Sequence, residues 1–230
     1  MKFNHFLINR YLYTGLLAIL LGFPAYAQEA GKVTRASGKA TVTSATNQTK
    51  DLARGDDVNS GDTITTGDDA QVLIRLKDNS TMAIRPKSRV KIAEFKFENK
   101  PTDTMTTNVI SGTLRAVSGQ IGKGQPDNVK YEANTATIGI RGTDIELAII
   151  PEGGKDRAGI YNYVHDGEVL MALKTGEKVT VTKELTGFTP DKLLPGESRL
   201  QVLKDRPAFL VSGGFDALIN QLTAPRLPMR

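Results

Sequence analysis

Residues 72–92, VLIRLKDNSTMAIRPKSRVKI, decide the fold class. Val72, Ile74 and Leu76 share one parity, and Leu73, Arg75 and Lys77 the other. After Asp78-Asn79-Ser80 the first parity resumes through Met82, Ile84, Val90 and Ile92. A period of two held over this distance belongs to a half-buried sheet, because successive strand side chains point to opposite faces. The Asp-Asn pair tolerates left-handed backbone angles and forms side-chain turns, so it predicts a tight connection. Phe95 and Phe97 fall on the opposite parity. A one-residue slip near Ala93 or Glu94, such as a bulge, keeps all of these side chains inward.

Outward from this stretch the same pattern recurs. Turn signals stand at Gly55, Gly61, Gly67, Ser111-Gly112, Asp166-Gly167, Gly176 and Pro195-Gly196, with short alternating runs between them. Many short strands between closely spaced turns predict an all-β sandwich, barrel or solenoid. Residues 99–107 and 119–128 are expected to be polar loops or edges, since Pro101 and Pro126 exclude central-strand positions. At most one short C-terminal helix is expected, over residues 214–222. Phe215, Leu218, Ile219 and Leu222 share a helical face there, and Pro225 ends it.

Composition narrows the chemistry. The 230 residues include no Cys, no Trp and two His. Disulfides, thiolate metal sites and a Cys nucleophile are therefore excluded. Thirty Lys plus Arg stand against 25 Asp plus Glu.

The first 27 residues read as an address: Lys2 and Arg10 without an acid, an apolar run from Tyr11 to Phe23, then Ala25-Tyr26-Ala27 before Gln28. These are the three parts of a cleavable secretory signal, and the run is shorter than a membrane span requires. The expectation is an exported chain with no membrane span after cleavage. Its charge of 28 basic against 25 acidic residues is too even to imply nucleic acid. The expected organisation is a signal peptide at 1–27, a β domain at 28–150, further strands packed on it at 151–205, and a short helix with a loose tail at 206–230.

Residues 135–150, TATIGIRGTDIELAII, are the one segment beyond simple pattern. Ile138 and Ile140 precede Gly142, and Ile145, Leu147 and Ile149 follow it on the other parity. A glycine at such a flip suits a bulge, since it alone reaches positive φ without steric cost. Arg141, Gly142 and Thr143 are therefore expected to hold a strand crossing, with Arg141 donating to strand-end carbonyls. The alternative is that Arg141 and Thr143 meet a ligand anion or a partner carboxylate.

Catalytic and metal chemistry find little support. His165 sits beside Asp166-Gly167, a hairpin signal, and reads as an exposed turn residue rather than a triad member. Paired aspartates flank glycines in turns, where Asp is a common turn former. Calcium is the metal that oxygen ligands suit, but the EF-hand loop is absent. No catalytic residue, metal ligand or cofactor is assigned.

The Gly-Ile-Arg-Gly-Thr-Asp-Ile core at 139–145 resembles the Arg-Gly-Thr hallmark of the FecR domain family. Thr66-Gly67, Ala70 and residues 72–80 are similar to an upstream run of that family, and residues 88–92 and 110–115 to its continuation. Residues 164–169 and 194–197 resemble strands that often follow. Asn79 stands where the family usually has Gly. The likeness extends over residues 31–203. It implies an all-β periplasmic fold, a twisted β-solenoid-like or sandwich arrangement of many short strands, that works by protein interaction or sensing in the Gram-negative envelope, not by catalysis. Regulators of this family place a cytoplasmic anti-sigma segment before a membrane helix. Ten residues before the apolar run are too few for one, so a stand-alone exported FecR-domain protein is expected.

The functional expectation is a non-enzymatic binding or regulatory module acting in envelope signalling, with an envelope protein as partner and strand addition as the simplest mode. The alternative is a cell-envelope polysaccharide- or peptidoglycan-binding protein, with Tyr131, Tyr161 and Tyr163 as the stacking groups for a glycan.

Overall fold

A computed structural model of the protein describes residues 28–211, so the expected leader at 1–27 and the helix expected at 214–222 lie outside the described residues. Fifteen strands follow one another among the described residues: β1 (Glu29–Ser37), β2 (Ala40–Thr43), β3 (Thr49–Asp51), β4 (Asp57–Asn59), β5 (Thr63–Thr66), β6 (Gln71–Leu76), β7 (Thr81–Ile84), β8 (Arg89–Lys96), β9 (Thr104–Val117), β10 (Val129–Ala133), β11 (Ala136–Ile150), β12 (Gly159–Leu173), β13 (Lys178–Thr182), β14 (Thr186–Pro190) and β15 (Gln201–Leu203). The protein is all-β.

All fifteen strands join one hydrogen-bonded sheet, which doubles over along a crease. Three long strands cross the crease, and each carries a glycine with positive φ at mid-strand: Gly112 in β9 (φ 78), Gly142 in β11 (φ 59) and Gly167 in β12 (φ 82). The first half of β9 pairs with β8 and β10, and its second half with β7 and β11. Likewise β11 pairs with β10 before the crease and with β9 after it, while β12 runs beside it throughout.

Two leaves result. The first runs β3-β2-β5-β8, the first half of β9, β10, the first half of β11, the second half of β12, and β13. The second runs β4-β1-β6-β7, the remaining halves of the long strands, β14 and β15. Inner-face side chains of both leaves form one buried cluster, with Ile64, Ile92 and Met105 from the first and Ile74, Ile84 and Leu114 from the second. The architecture is a sandwich, in which each leaf hides one apolar face against the other.

The alternation read from the sequence is present. Val72, Ile74, Leu76, Met82, Ile84, Val90 and Ile92 all lie in the core. Asn79 takes the left-handed conformation (φ 67) in the turn between β6 and β7. The register slips between Ile92 and Glu94, which keeps Phe95 buried and Phe97 packed against the core.

Some expectations need correction. Ser111-Gly112 and Asp166-Gly167 are not turns but the crease positions of β9 and β12, because a positive-φ glycine serves a mid-strand bend as well as a hairpin. Residues 104–107 begin β9, with 105–107 paired on both sides, while Pro101 remains in the preceding turn. Residues 119–128 are not plain loop: they hold a short helix, α1 (Gln120–Gly124), and a 3-10 turn (Pro126–Asn128). The carbonyl of Asp78 accepts the Gln120 N–H at 2.7 Å and its carboxylate accepts the Ile121 N–H at 3.4 Å, while Ile121 fills the core. Helix is therefore not confined to the C-terminus. A second 3-10 turn, Ala208–Leu210, follows β15, and Leu210 is fully buried.

Candidate functional site

The crease gathers glycines and hydroxyls in a repeated arrangement. At Gly112-Thr113, Ser88 Oγ accepts the Thr113 N–H at 2.8 Å, and Thr66 Oγ1 accepts the Ser88 N–H at 2.9 Å. At Gly142-Thr143, Ser118 Oγ accepts the Thr143 N–H at 2.9 Å and donates to the Thr143 carbonyl, also at 2.9 Å. Gly167 packs onto the second bend, where an added Cβ would lie 2.7 Å from the Gly142 carbonyl. A bent strand leaves ladder groups unpaired, and buried serines supply the missing partners. Gly142 and Thr143 thus belong to the crease.

Arg141 does not. Its side chain is exposed and forms no hydrogen bond or ion pair among the described residues. The expected bonds to strand-end carbonyls are absent because Arg141 has the parity of Thr137 and Gly139, which faces away from the core. It stands opposite Glu168 in the β11–β12 register and lines a groove of about 520 Å³ on the outer face of the first leaf. Lys130 and Lys178 add two further cations to that groove, Asp127 and Glu168 two anions, and Leu170, 44% exposed, an apolar patch. Gly139 and Ala172 are small, so the backbone is reachable between them.

The outer face of the second leaf holds a polar cluster that the sequence does not announce. Glu146 is fully buried. Its carboxylate accepts from Arg85 through Oε1 and from Arg206 through Oε2 at 2.8 Å, and His165 Nε2 lies 3.4 Å from Oε2. Arg85 and Arg206 also donate to the Leu210 carbonyl at 2.7 and 2.9 Å. Burial pushes the Glu146 carboxyl up. The His165 hydrogen bond and the charges of Arg85 and Arg206 outweigh it, and hold the carboxyl below the usual carboxylate range. Beside this cluster, Arg115 grips Asp144 with two parallel bonds of 2.9 and 2.7 Å.

His165 is therefore not an exposed turn residue. β12 runs straight through it, and its ring also meets Tyr163 edge-on at 4.7 Å. The signal for the cluster was present in part: Glu146 interrupts the apolar run Ile145 to Ile150, and a charge there demands partners.

The tyrosines do not form a sugar platform. Tyr131 is buried in the core. Tyr161 stacks on Phe188 at 4.3 Å, meets Phe209 edge-on at 5.1 Å and donates its hydroxyl to the Arg157 carbonyl at 2.8 Å. Tyr163 is half-buried beneath the Arg206 guanidinium, 5.4 Å from its ring centre. Neither ring offers a free face of the kind a glycan stacks on.

Among the described residues no group of three or more His, Asp or Glu is placed to hold a metal ion, and no helix is long and apolar enough to cross a membrane.

Residues 62–170 match the family model described as FecR protein. That span contains every crease residue named above and is narrower than the likeness read over residues 31–203. Two crystal structures of a candidate anti-sigma factor from Parabacteroides distasonis ATCC 8503 are similar at 9% identity, with TM-scores of 0.48 and 0.49. The alignment covers 62% of this chain and 59% of theirs, so the chain spans little over half their length. A solved cell surface anchoring domain aligns with 28% of this chain and 84% of its own, at 31% identity and a TM-score of 0.27. No curated protein matches the chain.

Proposed function

We propose that this chain, which carries a FecR domain at residues 62–170, is a non-enzymatic regulatory signalling module that binds another envelope protein from the periplasm. One observation carries the reading. In the Arg-Gly-Thr triplet, Gly142 and Thr143 are used by the crease, while Arg141 is left exposed on a groove. A guanidinium with no internal partner retains its five donors for a carboxylate of another molecule. With Lys130 and Lys178 the groove sets three cations against two anions, Asp127 and Glu168, an excess of one positive charge that favours an acidic segment, and Leu170 offers the apolar contact that a stable interface needs. The periplasmic part rests on the leader-like residues 1–27.

The test places a photo-crosslinking residue at Leu170 or, as a control, at Lys50, in the full chain expressed in cells. A discrete crosslink to one envelope protein from position 170, lost with Arg141→Glu, supports the reading. Equal crosslinks from both positions, or a cytoplasmic chain on fractionation, overturn it.

A further inference from the structure

The outer face of the second leaf is covered by the chain's own residues 204–211. This strap is held in an unusual way for a β protein. β15 pairs with β14 only through residues 201–203, and no backbone-to-backbone hydrogen bond ties residues 204–211 to the sheet among the described residues. The Leu210 and Val211 N–H groups bond within the strap itself, to the Pro207 and Ala208 carbonyls. What holds the strap is side chains. Arg206 reaches Glu146, Leu210 is fully buried with Tyr161, Phe188 and Ala148, and Phe209 lies edge-on to Tyr161. Arg85 and Arg206 take the Leu210 carbonyl, and Thr186 Oγ1 donates to the Asp205 carbonyl at 2.9 Å. An open cleft of about 610 Å³ runs between the strap and Arg157–Tyr161, so its flank is not sealed.

A segment bound by anchors and not by a ladder behaves as a ligand does: an arginine in a carboxylate site, an aliphatic side chain in an apolar socket, and a carbonyl on a guanidinium. We infer that the face under the strap is a second peptide-docking site, occupied here by a stand-in from the same chain. Its ligand class is a partner segment with an arginine three residues ahead of an aromatic–aliphatic pair. That is the pattern of Arg206 and Phe209-Leu210. Such a segment must displace the strap, and its apparent affinity is reduced by the fraction of molecules whose strap is closed. Segments with few backbone bonds to the rest of a fold open at the low end of the local stability range. The inference rests on the domain being a protein-binding module, but not on the Arg141 groove.

The experiment uses a fluorescein-labelled peptide of residues 204–211, KDRPAFLV, and the full chain with Leu210→Asp, which unseats the strap. Anisotropy is expected to show binding at least about 100-fold tighter to L210D than to the wild-type chain, since opening removes the competitor. Binding should be lost for a peptide with both Phe209 and Leu210 replaced by Ala, and weakened in L210D/Glu146→Gln. If L210D gives no cooperative unfolding transition, the double change Arg206→Ala/Phe209→Ala takes its place, because neither side chain is fully buried as Leu210 is. A folded strap variant that does not bind the peptide overturns the inference, as does equal binding to wild type. A dimer formed by exchange of straps between two copies also overturns it, in favour of self-association. A negative result here leaves the crosslinks from position 170 unaffected, so the two readings fail separately.

Discussion

Ser118 and Thr143 close a reciprocal pair of hydrogen bonds across the crease: Ser118 Oγ accepts the Thr143 N–H and donates to the Thr143 carbonyl, each at 2.9 Å. Both residues are buried. Ser118→Ala removes the acceptor and leaves a buried N–H without a partner. The loss should be about 2 kcal/mol, the usual cost of an unpaired buried donor. Urea unfolding should show a lower midpoint with an unchanged slope. An unchanged midpoint would mean that strand pairing alone holds the bend.

The crease glycines differ in how much they tolerate. At Gly112 an added Cβ would lie 2.2 Å from Ser88 Oγ and 2.6 Å from Ser88 Cα, whereas at Gly142 nothing lies within 4 Å. Both have positive φ. Gly142→Ala should therefore cost only the left-handed penalty of about 1 kcal/mol. Gly112→Ala adds a backbone clash and should cost about 3 kcal/mol or more. The Arg-Gly-Thr bend is thus the more forgiving of the two, and thermal unfolding of the two variants ranks them.

The sheet, the slip near Ala93 and the bend at Gly142 were legible because each leaves a mark in local parity. Gly112 and Gly167 were not. A Ser-Gly or Asp-Gly pair satisfies a hairpin and a mid-strand bend equally, and only the neighbouring strands decide between them. The Glu146 cluster was hidden for a different reason. Its arginines come from positions 61 and 60 residues away, Arg85 before it and Arg206 after it. No local window contains both. Arg141 stood out in the sequence as the residue most like a clamp, yet parity directs it outward, and the clamping fell to two plain serines.

Glu146 makes the fold sensitive to acid. Its carboxyl is held below the usual value of 4.5 in the folded protein. The native state therefore favours the charged form. This contribution is complete above the unfolded value and is lost as pH falls through the folded one. The wild-type melting temperature should drop more steeply below about pH 4.5 than that of Glu146→Gln. At pH 7 the variant should be weaker by about 3 kcal/mol, because Arg85 and Arg206 lose their shared counter-charge. Parallel melting curves from pH 7 to pH 3 would remove Glu146 as the source of acid sensitivity.

Arg115 and Arg141 sit on the long crossing strands and face different surroundings, which separates stability from recognition. Arg115 is buried and bidentate to Asp144; Arg141 is exposed without a partner among the described residues. Arg115→Ala leaves the half-buried Asp144 carboxylate without its fork and should cost about 3 kcal/mol. Arg141→Ala should stay within about 0.5 kcal/mol of wild type, as exposed substitutions away from caps, bends and networks do. The comparison is made by urea unfolding of both variants beside the crosslinking yield from position 170. Arg141→Ala should keep its midpoint and lose the crosslink. A lowered midpoint with the crosslink retained would return Arg141 to the scaffold and leave the groove without its recognition residue.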